Sequence, residues 1–399
     1  MPVSRRSFLS TVGAGSAGLI ASPLINWRGH EALFSQEPHA GPTAAERRAE
    51  RLLAARPGMI RIDSNENPNG PGHHVFDAIS SHFAGSNRYP TQGEEDLKDK
   101  IAKVQGIPAA NILLGCGSGE ILRTAVQAFT SPTKALVAAD PTFESPATFA
   151  KILGNPIVAP KVDSKLRLDL DGMADGARNA GLVYFCNPNN PTATVHSKSD
   201  VLAYIDRVNK ASPNTIILVD EAYHEYVEDP SYGSVMQTAI TNPRVIVTRT
   251  FSKVFGMAGL RIGYAVAHPD TLAKMVPWML GSGTNHLALV AAGVAITDSA
   301  HIADEQKKNR DARAFTKNFF ESAGYTVAAA DANFLMVDIR RDPKGFKTEC
   351  LKHMIAVGRA FPALPTYARI SIGTMPEMKK AVAVFRTVLA TSVSTSHGQ

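Results

Sequence analysis

A chain of 399 residues exceeds one ordinary core, and 44% apolar with 20% charged residues excludes a disordered or fibrous protein. The formal charge of +6 is spread over lysines and arginines scattered among acids, with no basic stripe interleaved with aromatics, so no nucleic acid is expected as a partner. Cys116, Cys186 and Cys350 lie far apart, and His73, His74, His196 and His224 form no ligand pattern, so neither a disulfide framework nor a metal is expected.

Ser4-Arg5-Arg6-Ser7-Phe8-Leu9 precedes Thr11 to Ile25, an apolar run rich in glycine and alanine. A twin arginine before such a run resembles a Tat export signal. The run is too short and glycine-rich for a membrane span. The expected partner is the Tat export machinery, and the expected location is periplasmic or exported, or cytoplasmic if the signal does not function. Residues 1–36 read as signal and spacer, and 37–70 as an N-terminal arm with a short charged helix from Thr43 to Ala55.

From Ile60 onward apolar runs alternate with helical patterns. Strands are expected at Ile112–Leu114, Ala135–Ala138, Leu182–Phe185, Ile216–Val219, Val245–Thr248 and Gly263–Val266. Helices at Glu120–Phe129, Ser199–Asn209 and Thr271–Met279 fall between several of them. This alternation predicts an α/β fold, with a large domain over residues 71–284 whose mostly parallel sheet is flanked by helices. After Thr284 come two long helical stretches, strands near Phe334–Asp338 and Ala368–Ile372, and a terminal helix from Met375 to about Leu389. Residues 285–399 therefore read as a smaller α+β domain.

Ligands of open α/β sheets bind at the carboxyl ends of strands, and the chemically informative residues lie there. Gly115-Cys-Gly-Ser118-Gly119-Glu120 follows a strand and opens a helix, where free N–H groups suit a phosphate. Asp140-Pro-Thr-Phe143 ends the next strand and offers Phe143 as a flat face for a ring. In Asn187-Pro-Asn-Asn190-Pro-Thr192, two Asn-Pro units fix the backbone and present amides. Asp220 ends an apolar strand, where a carboxylate needs a cationic partner. A protonated pyridine nitrogen would serve, and Tyr223 would reach a phenolate oxygen on the same ring. Lys253 follows the hydroxyls of Thr250 and Ser252, and Arg261 lies just beyond. Lysine is the side chain that forms Schiff bases with carbonyl substrates and with pyridoxal 5'-phosphate, PLP.

The motifs Asn-Arg-Tyr-Pro (87–90), Asn-Pro-Asn-Asn-Pro-Thr (187–192), Asp-Glu-Ala-Tyr (220–223), Arg-Thr-Phe-Ser-Lys (249–253), Ala-Gly-Leu-Arg-Ile-Gly (258–263) and Arg-Ile-Ser-Ile-Gly-Thr (369–374) occur in this order. With Asp63-Ser-Asn-Glu-Asn-Pro68 they resemble the class I/II PLP-dependent aminotransferases of fold type I, in the histidinol-phosphate aminotransferase branch. The resemblance spans about Ile60 to Leu389. It implies ping-pong transfer of an amino group between a small amino donor, an amino acid or amino-alcohol phosphate, and a 2-oxo acid. By it Lys253 is the Schiff-base lysine and proton shuttle, Asp220 pairs with the pyridine nitrogen, and Asn190 and Tyr223 hold the ring oxygen. The phosphate sits among Ser118, Gly119, the Glu120 backbone, Thr250, Ser252 and Arg261, with Phe143 stacked on the ring. Tyr89 reaches the neighbouring subunit's phosphate, which implies a homodimer. Arg369 and Arg359 match the substrate-binding arginines. A PLP-dependent decarboxylase or lyase on the same scaffold, like threonine-phosphate decarboxylase, is the alternative. The chain departs from the family at Ala193, where glycine is usual, and in Val357-Gly358-Arg359-Ala360-Phe361-Pro362, where an apolar residue normally precedes the arginine.

Overall fold

The apolar runs become a twelve-strand framework in the computed structural model, which describes residues 56–390. The twin-arginine segment and the expected helix from Thr43 to Ala55 lie outside the described residues. Strand β1 (Ile60–Ile62) leads to helices α1 (His73–His82) and α2 (Thr91–Gln105). Strands and helices then alternate through β2 (Ile112–Gly115), α3 (Ser118–Phe129), β3 (Leu136–Ala138), α4 (Ser145–Ile152), β4 (Ile157–Val158), α5 (Leu170–Gly176), β5 (Leu182–Cys186) and α6 (Lys198–Ala211). Next come β6 (Ile216–Asp220), α7 (Met236–Thr241), β7 (Val245–Thr250), β8 (Gly263–Ala267), α8 (Pro269–Met275) and α9 (His286–Ala295). The chain continues through α10 (Ser299–Ser322), β9 (Thr326–Val327), β10 (Phe334–Asp338), α11 (Pro343–Lys352), β11 (Ile355–Val357), β12 (Tyr367–Ser371) and α12 (Met375–Ala390).

The large sheet has the order β2-β8-β7-β6-β5-β3-β4. Strand β8 runs antiparallel to both neighbours and the other pairs are parallel. Period-two alternation explains why its central strands are apolar throughout. Val183, Phe185, Ile217, Val219, Val245 and Val247 enter one core, shared with α1, α2, α6 and α9. Leu182, Tyr184, Cys186, Ile216, Leu218 and Ile246 enter the opposite core, under α3, α4 and α8. Asp220 continues the second set.

A second layer is built on the sheet β12-β10-β9 and the pair β1-β11, packed against α10, α11 and α12 around Phe320, Phe346 and Phe385. Two expected boundaries move. Helix α9 buries Ala288, Leu289, Ala291 and Ala292 in the core of the large sheet, so the layers part after α9 rather than at Thr284. Strand β1, expected in the N-terminal arm, pairs in parallel with β11 and belongs to the second layer. The expected helix Thr271–Met279 starts at Pro269 and is α-helical only to Met275, because Pro277 removes a donor and leaves a 3-10 turn over Val276–Trp278.

Candidate active site

Sheet register sets one row of the site. Cys186 lies opposite Asp220, and Asp220 opposite Thr248, at the carboxyl ends of three parallel strands. Asp220 is 3% exposed. Its Oδ2 accepts from the Tyr184 hydroxyl at 2.8 Å, and its Oδ1 accepts from the Ala222 N–H at 3.2 Å. No cation of the described residues forms an ion pair with it. Burial therefore dominates and pushes its carboxyl up to about 6, against the hydrogen bonds, which favour the charged form.

Lys253 follows β7 and is half-buried beside this row. Its Nζ donates to the Asn65 carbonyl at 2.9 Å and lies 5.3 Å from the centre of the Tyr223 ring. Burial first, then the positive field of Arg369, lowers its amine to about 8. Asn65 was not singled out in the sequence, yet it joins both layers. Its amide donates to the Tyr223 hydroxyl at 3.1 Å and its Oδ1 accepts from Ser371 at 2.7 Å. Its φ of 54° is left-handed, a conformation that asparagine tolerates better than most residues.

Parity along β12 turns Arg369 and Ser371 toward the site while Ala368 and Ile370 enter the core of the second layer. Arg369 is 8% exposed, and its guanidinium donates to Asn190 Oδ1 and to the Asp63 carbonyl, both at 2.8 Å. Among the described residues it has no carboxylate partner, and its buried Nε has no acceptor. Burial brings it down to about 10, Arg359 pushing in the same direction and Tyr223 and Glu144 opposing. Among the described residues, this site thus holds a buried carboxylate lacking a cation, a buried guanidinium lacking an anion, and a lysine whose amine is lowered to about 8.

An anion cradle closes the other end. Thr250 is opposite Gly263, and Gly263 opposite Gly115. A Cβ at Gly263 would sit 2.5 Å from the Ser118 nitrogen, so only glycine lets the start of α3 come down onto β8. Gly117 has φ of 72°, and a Cβ there would collide with the Arg261 guanidinium. Arg261 is exposed and has no carboxylate partner among the described residues. The first-turn N–H groups of Ser118 and Gly119, which no helical carbonyl can satisfy, therefore lie beside a free cation. Ser252 lies in the loop after β7, where its N–H donates to Thr250 Oγ1 at 3.1 Å. The Glu120 side chain does a different job: it accepts from the Cys116 and Leu280 N–H groups at 2.6 and 3.0 Å, shaping the loop around the cradle.

Other motif letters are structural. Arg249 is buried between Glu221, at 2.7 Å, and Glu225, at 3.2 Å, which ties β7 to the end of β6. Burial alone would raise Glu221, but Arg249, His224 and the hydrogen bonds from Ser234 and the Val235 N–H together hold the carboxyl below its ordinary value. Asn187 exchanges hydrogen bonds with the His196 backbone, and Asn189 accepts from Thr142 and donates to Pro141, so of these amides Asn190 alone meets Arg369. Ala193 has φ of 57°, which is why glycine is usual there. Phe143 is 37% exposed at its strand end, an open ring face. Arg359, however, is ion-paired with Glu144 and lies over the Phe361 ring at 4.1 Å. Tyr89 is 85% exposed and has no hydrogen bond or ring contact with the site residues of its own chain.

The sequence matches the family "Aminotransferase class I and II" over residues 57–385. The chain belongs to the class I and II aminotransferases. Among relatives of this aminotransferase, histidinol-phosphate aminotransferase of Moorella thermoacetica is 32% identical over 90% of this chain and 92% of its own. That of Symbiobacterium thermophilum is 30% identical over 83% and 91%. The crystal structure of histidinol-phosphate aminotransferase from Sinorhizobium meliloti in complex with PLP superposes with a TM-score of 0.80 at 25% identity, covering 94% of this chain and 98% of that one. The protein is a PLP-dependent aminotransferase of fold type I. Its residues fit the cofactor on their own chemistry: Asp220 has no cation partner among the described residues, which a pyridinium would provide, and the Arg261 guanidinium beside Gly117 and the free N–H groups of Ser118 and Gly119 suit a phosphate.

Proposed function

We propose that this aminotransferase moves an amino group between an amino acid or amino-alcohol phosphate and a 2-oxo acid, with Lys253, Asp220 and Arg369 as its working groups. The observation carrying this assignment is the convergence of a lysine whose amine is lowered to about 8 with a buried carboxylate and a buried guanidinium that have no ion-pair partner among the described residues. PLP, when bound, supplies an electron sink that stabilises negative charge at the donor's α-carbon. Lys253 Nζ would take the proton from that carbon and hold it for the reprotonation that completes the transfer. Asp220 keeps a proton on the ring nitrogen, which the cofactor needs to withdraw electrons. Arg369 binds the donor's anionic end, its planar fork matching a carboxylate. Ser118, Gly119, the Glu120 backbone, Thr250, Ser252 and Arg261 hold the phosphate, and Phe143 covers the ring. Tyr223 and Asn190 face the ring oxygen.

The same proposal takes the working form as a homodimer to which Tyr89 contributes. Supporting it are the exposed apolar side chains Phe83, Trp278 and Leu280, each more than half exposed. Light scattering of wild type and Tyr89→Ala, with cofactor affinity of each, tests it: a monomeric, fully active wild type refutes it. The twin arginine motivates export through Tat, tested by fractionating cells that express the wild type and Arg5→Lys/Arg6→Lys. Equal cytoplasmic retention of both refutes export. For the reaction, the PLP-loaded protein is titrated with amino donors while its absorbance is followed. Spectral conversion reversed by a 2-oxo acid is expected, and release of carbon dioxide instead would replace transamination with decarboxylation.

A further inference from the structure

Strand β5 buries one phenol that the proposed reaction does not use. In Leu182-Val-Tyr184-Phe-Cys186 every side chain is buried, and Tyr184 is 1% exposed. A phenol at that depth needs a partner for its O–H. Register supplies one. Tyr184 lies opposite Leu218 and Cys186 opposite Asp220, so tyrosine and aspartate are diagonal neighbours on one face of adjacent parallel strands. That diagonal is within reach of a long aromatic side chain. The Tyr184 hydroxyl donates to Asp220 Oδ2 at 2.8 Å. The other two donors to this carboxylate are more distant, the Ala222 N–H at 3.2 Å and the Thr248 hydroxyl at 3.4 Å, both on Oδ1. Burial and the charge of Asp220 hold the phenol well above its ordinary value, so it donates and does not ionise. The remaining titratable groups around Asp220 are directed elsewhere. Cys186 Sγ donates to the Pro188 carbonyl at 3.3 Å, the Tyr223 hydroxyl is met by Asn65, and Lys253 Nζ is turned to the Asn65 carbonyl.

We infer that Tyr184 is a positioning residue for the reaction: its hydroxyl keeps Asp220 ionised, so that the proton shared with the cofactor's ring nitrogen stays on the ring. The inference rests on the proposed function above, and names the group that makes the pairing of Asp220 with that nitrogen effective. A buried carboxylate with few donors binds a proton tightly. Asp220 would then take the ring's proton instead of holding it in place. The ring N–H bond would break, a carboxyl O–H bond would form, and neither group would remain charged. The hydrogen bond would survive, but the ring would lose the charge with which it draws electrons from the donor's α-carbon. Tyr184 favours the opposite distribution, because a hydrogen bond to an ionised acceptor is about twice as strong as one between neutral groups. Of the groups that favour the ionised form of Asp220, Tyr184 acts most strongly, ahead of the Ala222 N–H, Thr248 and Lys253.

The test uses the full chain loaded with PLP isotope-labelled at the ring nitrogen, wild type and Tyr184→Phe. Phenylalanine keeps the buried ring and removes the donor. The nitrogen NMR shift reads where the proton resides, which a change in packing alone would not move. Wild type is expected in the pyridinium range at neutral pH, and Tyr184→Phe is expected to move toward neutral pyridine. A change equivalent to about one pKa unit on Asp220 corresponds to a kcat lower by about tenfold in half-reactions with histidinol phosphate and glutamate, with donor KM within about twofold. Replacement of Tyr184 by 3-fluorotyrosine, a stronger donor of nearly the same shape, is expected to move the nitrogen shift in the opposite direction, and it serves as the test if Tyr184→Phe does not fold. A ring nitrogen equally protonated in wild type and Tyr184→Phe overturns the inference and leaves Asp220 its role. An unchanged kcat with a raised donor KM overturns it as well. A wild-type ring nitrogen without a proton overturns both the inference and the role of Asp220. If the shift moves as expected while no donor is converted, the inference holds and transamination fails.

Discussion

Asp220 gives the sharpest test of the site, because its effect on stability should change sign with the cofactor. Without a cation, its carboxyl is raised from 3.8 to about 6 by burial. A shift of about two units corresponds to about 3 kcal/mol, at about 1.4 kcal/mol per unit. A group whose folded pKa exceeds its unfolded value binds its proton more tightly in the folded state. Its stabilising contribution is therefore full below about pH 4 and is lost as pH rises through about 6. Above that pH the cofactor-free fold carries an ionised carboxylate that its surroundings do not compensate. Asp220→Asn removes that charge while keeping an oxygen for the Ala222 N–H and a neighbour for the Tyr184 hydroxyl.

Urea unfolding of cofactor-free protein, at pH 5 and pH 8, should then show Asp220→Asn stabilised relative to wild type by about 1–3 kcal/mol at the higher pH, and by less at the lower. PLP should reverse the order, since the ring nitrogen supplies the missing cation to aspartate and not to asparagine. A cofactor-free Asp220→Asn no more stable than wild type at pH 8 would show that Asp220 is already compensated by the fold. The fit to the cofactor would then lose its physical basis.

Lys253, lowered to about 8, should take up PLP at a rate that rises through a midpoint near that pH rather than near 10.5. Stopped-flow absorbance of the cofactor-free protein reads this, and a midpoint above pH 10 refutes the role given to burial. Gly117→Ala forces a side chain into a left-handed position against Arg261, and should weaken PLP binding by about tenfold or more in a fluorescence titration. Unaltered affinity would move the phosphate elsewhere. Glu221→Ala leaves Arg249 buried with only Glu225 beside it, and should cost about 3–5 kcal/mol in denaturant unfolding. Replacing Arg249 by methionine in the same chain should recover most of that loss; additive losses would deny the coupling.

The parallel sheet was legible because its strands are buried on both faces and so are written as unbroken apolar runs. The motif positions were legible because chemistry collects at strand ends. Short strands such as β4 and β9, two residues each, left no such trace. Strand β1 was read as part of an arm because its partner, β11, lies almost three hundred residues away along the chain. Helix α9 was assigned to the second layer by chain order alone, although its alanine-rich surface packs into the core of the large sheet.

Within the site, single letters gave the chemistry but not the company they keep. Asp220 can be read as a carboxylate needing a cation. That Tyr184 would hydrogen-bond it follows only once β5 and β6 are known to be adjacent and in register, which puts alternate residues of both strands on one face. Asn65 sits within the quoted motif, but its role depends on three segments meeting there: Lys253, Tyr223 and Ser371 come from different strand ends and both layers. Arg359 shows the limit most clearly. Read along the chain it is a second anion-binding arginine, whereas in the fold its guanidinium is paired with Glu144 from the large-sheet layer. A motif specifies which charges a site contains, but the charge available to a ligand is what remains after the fold has paired the others.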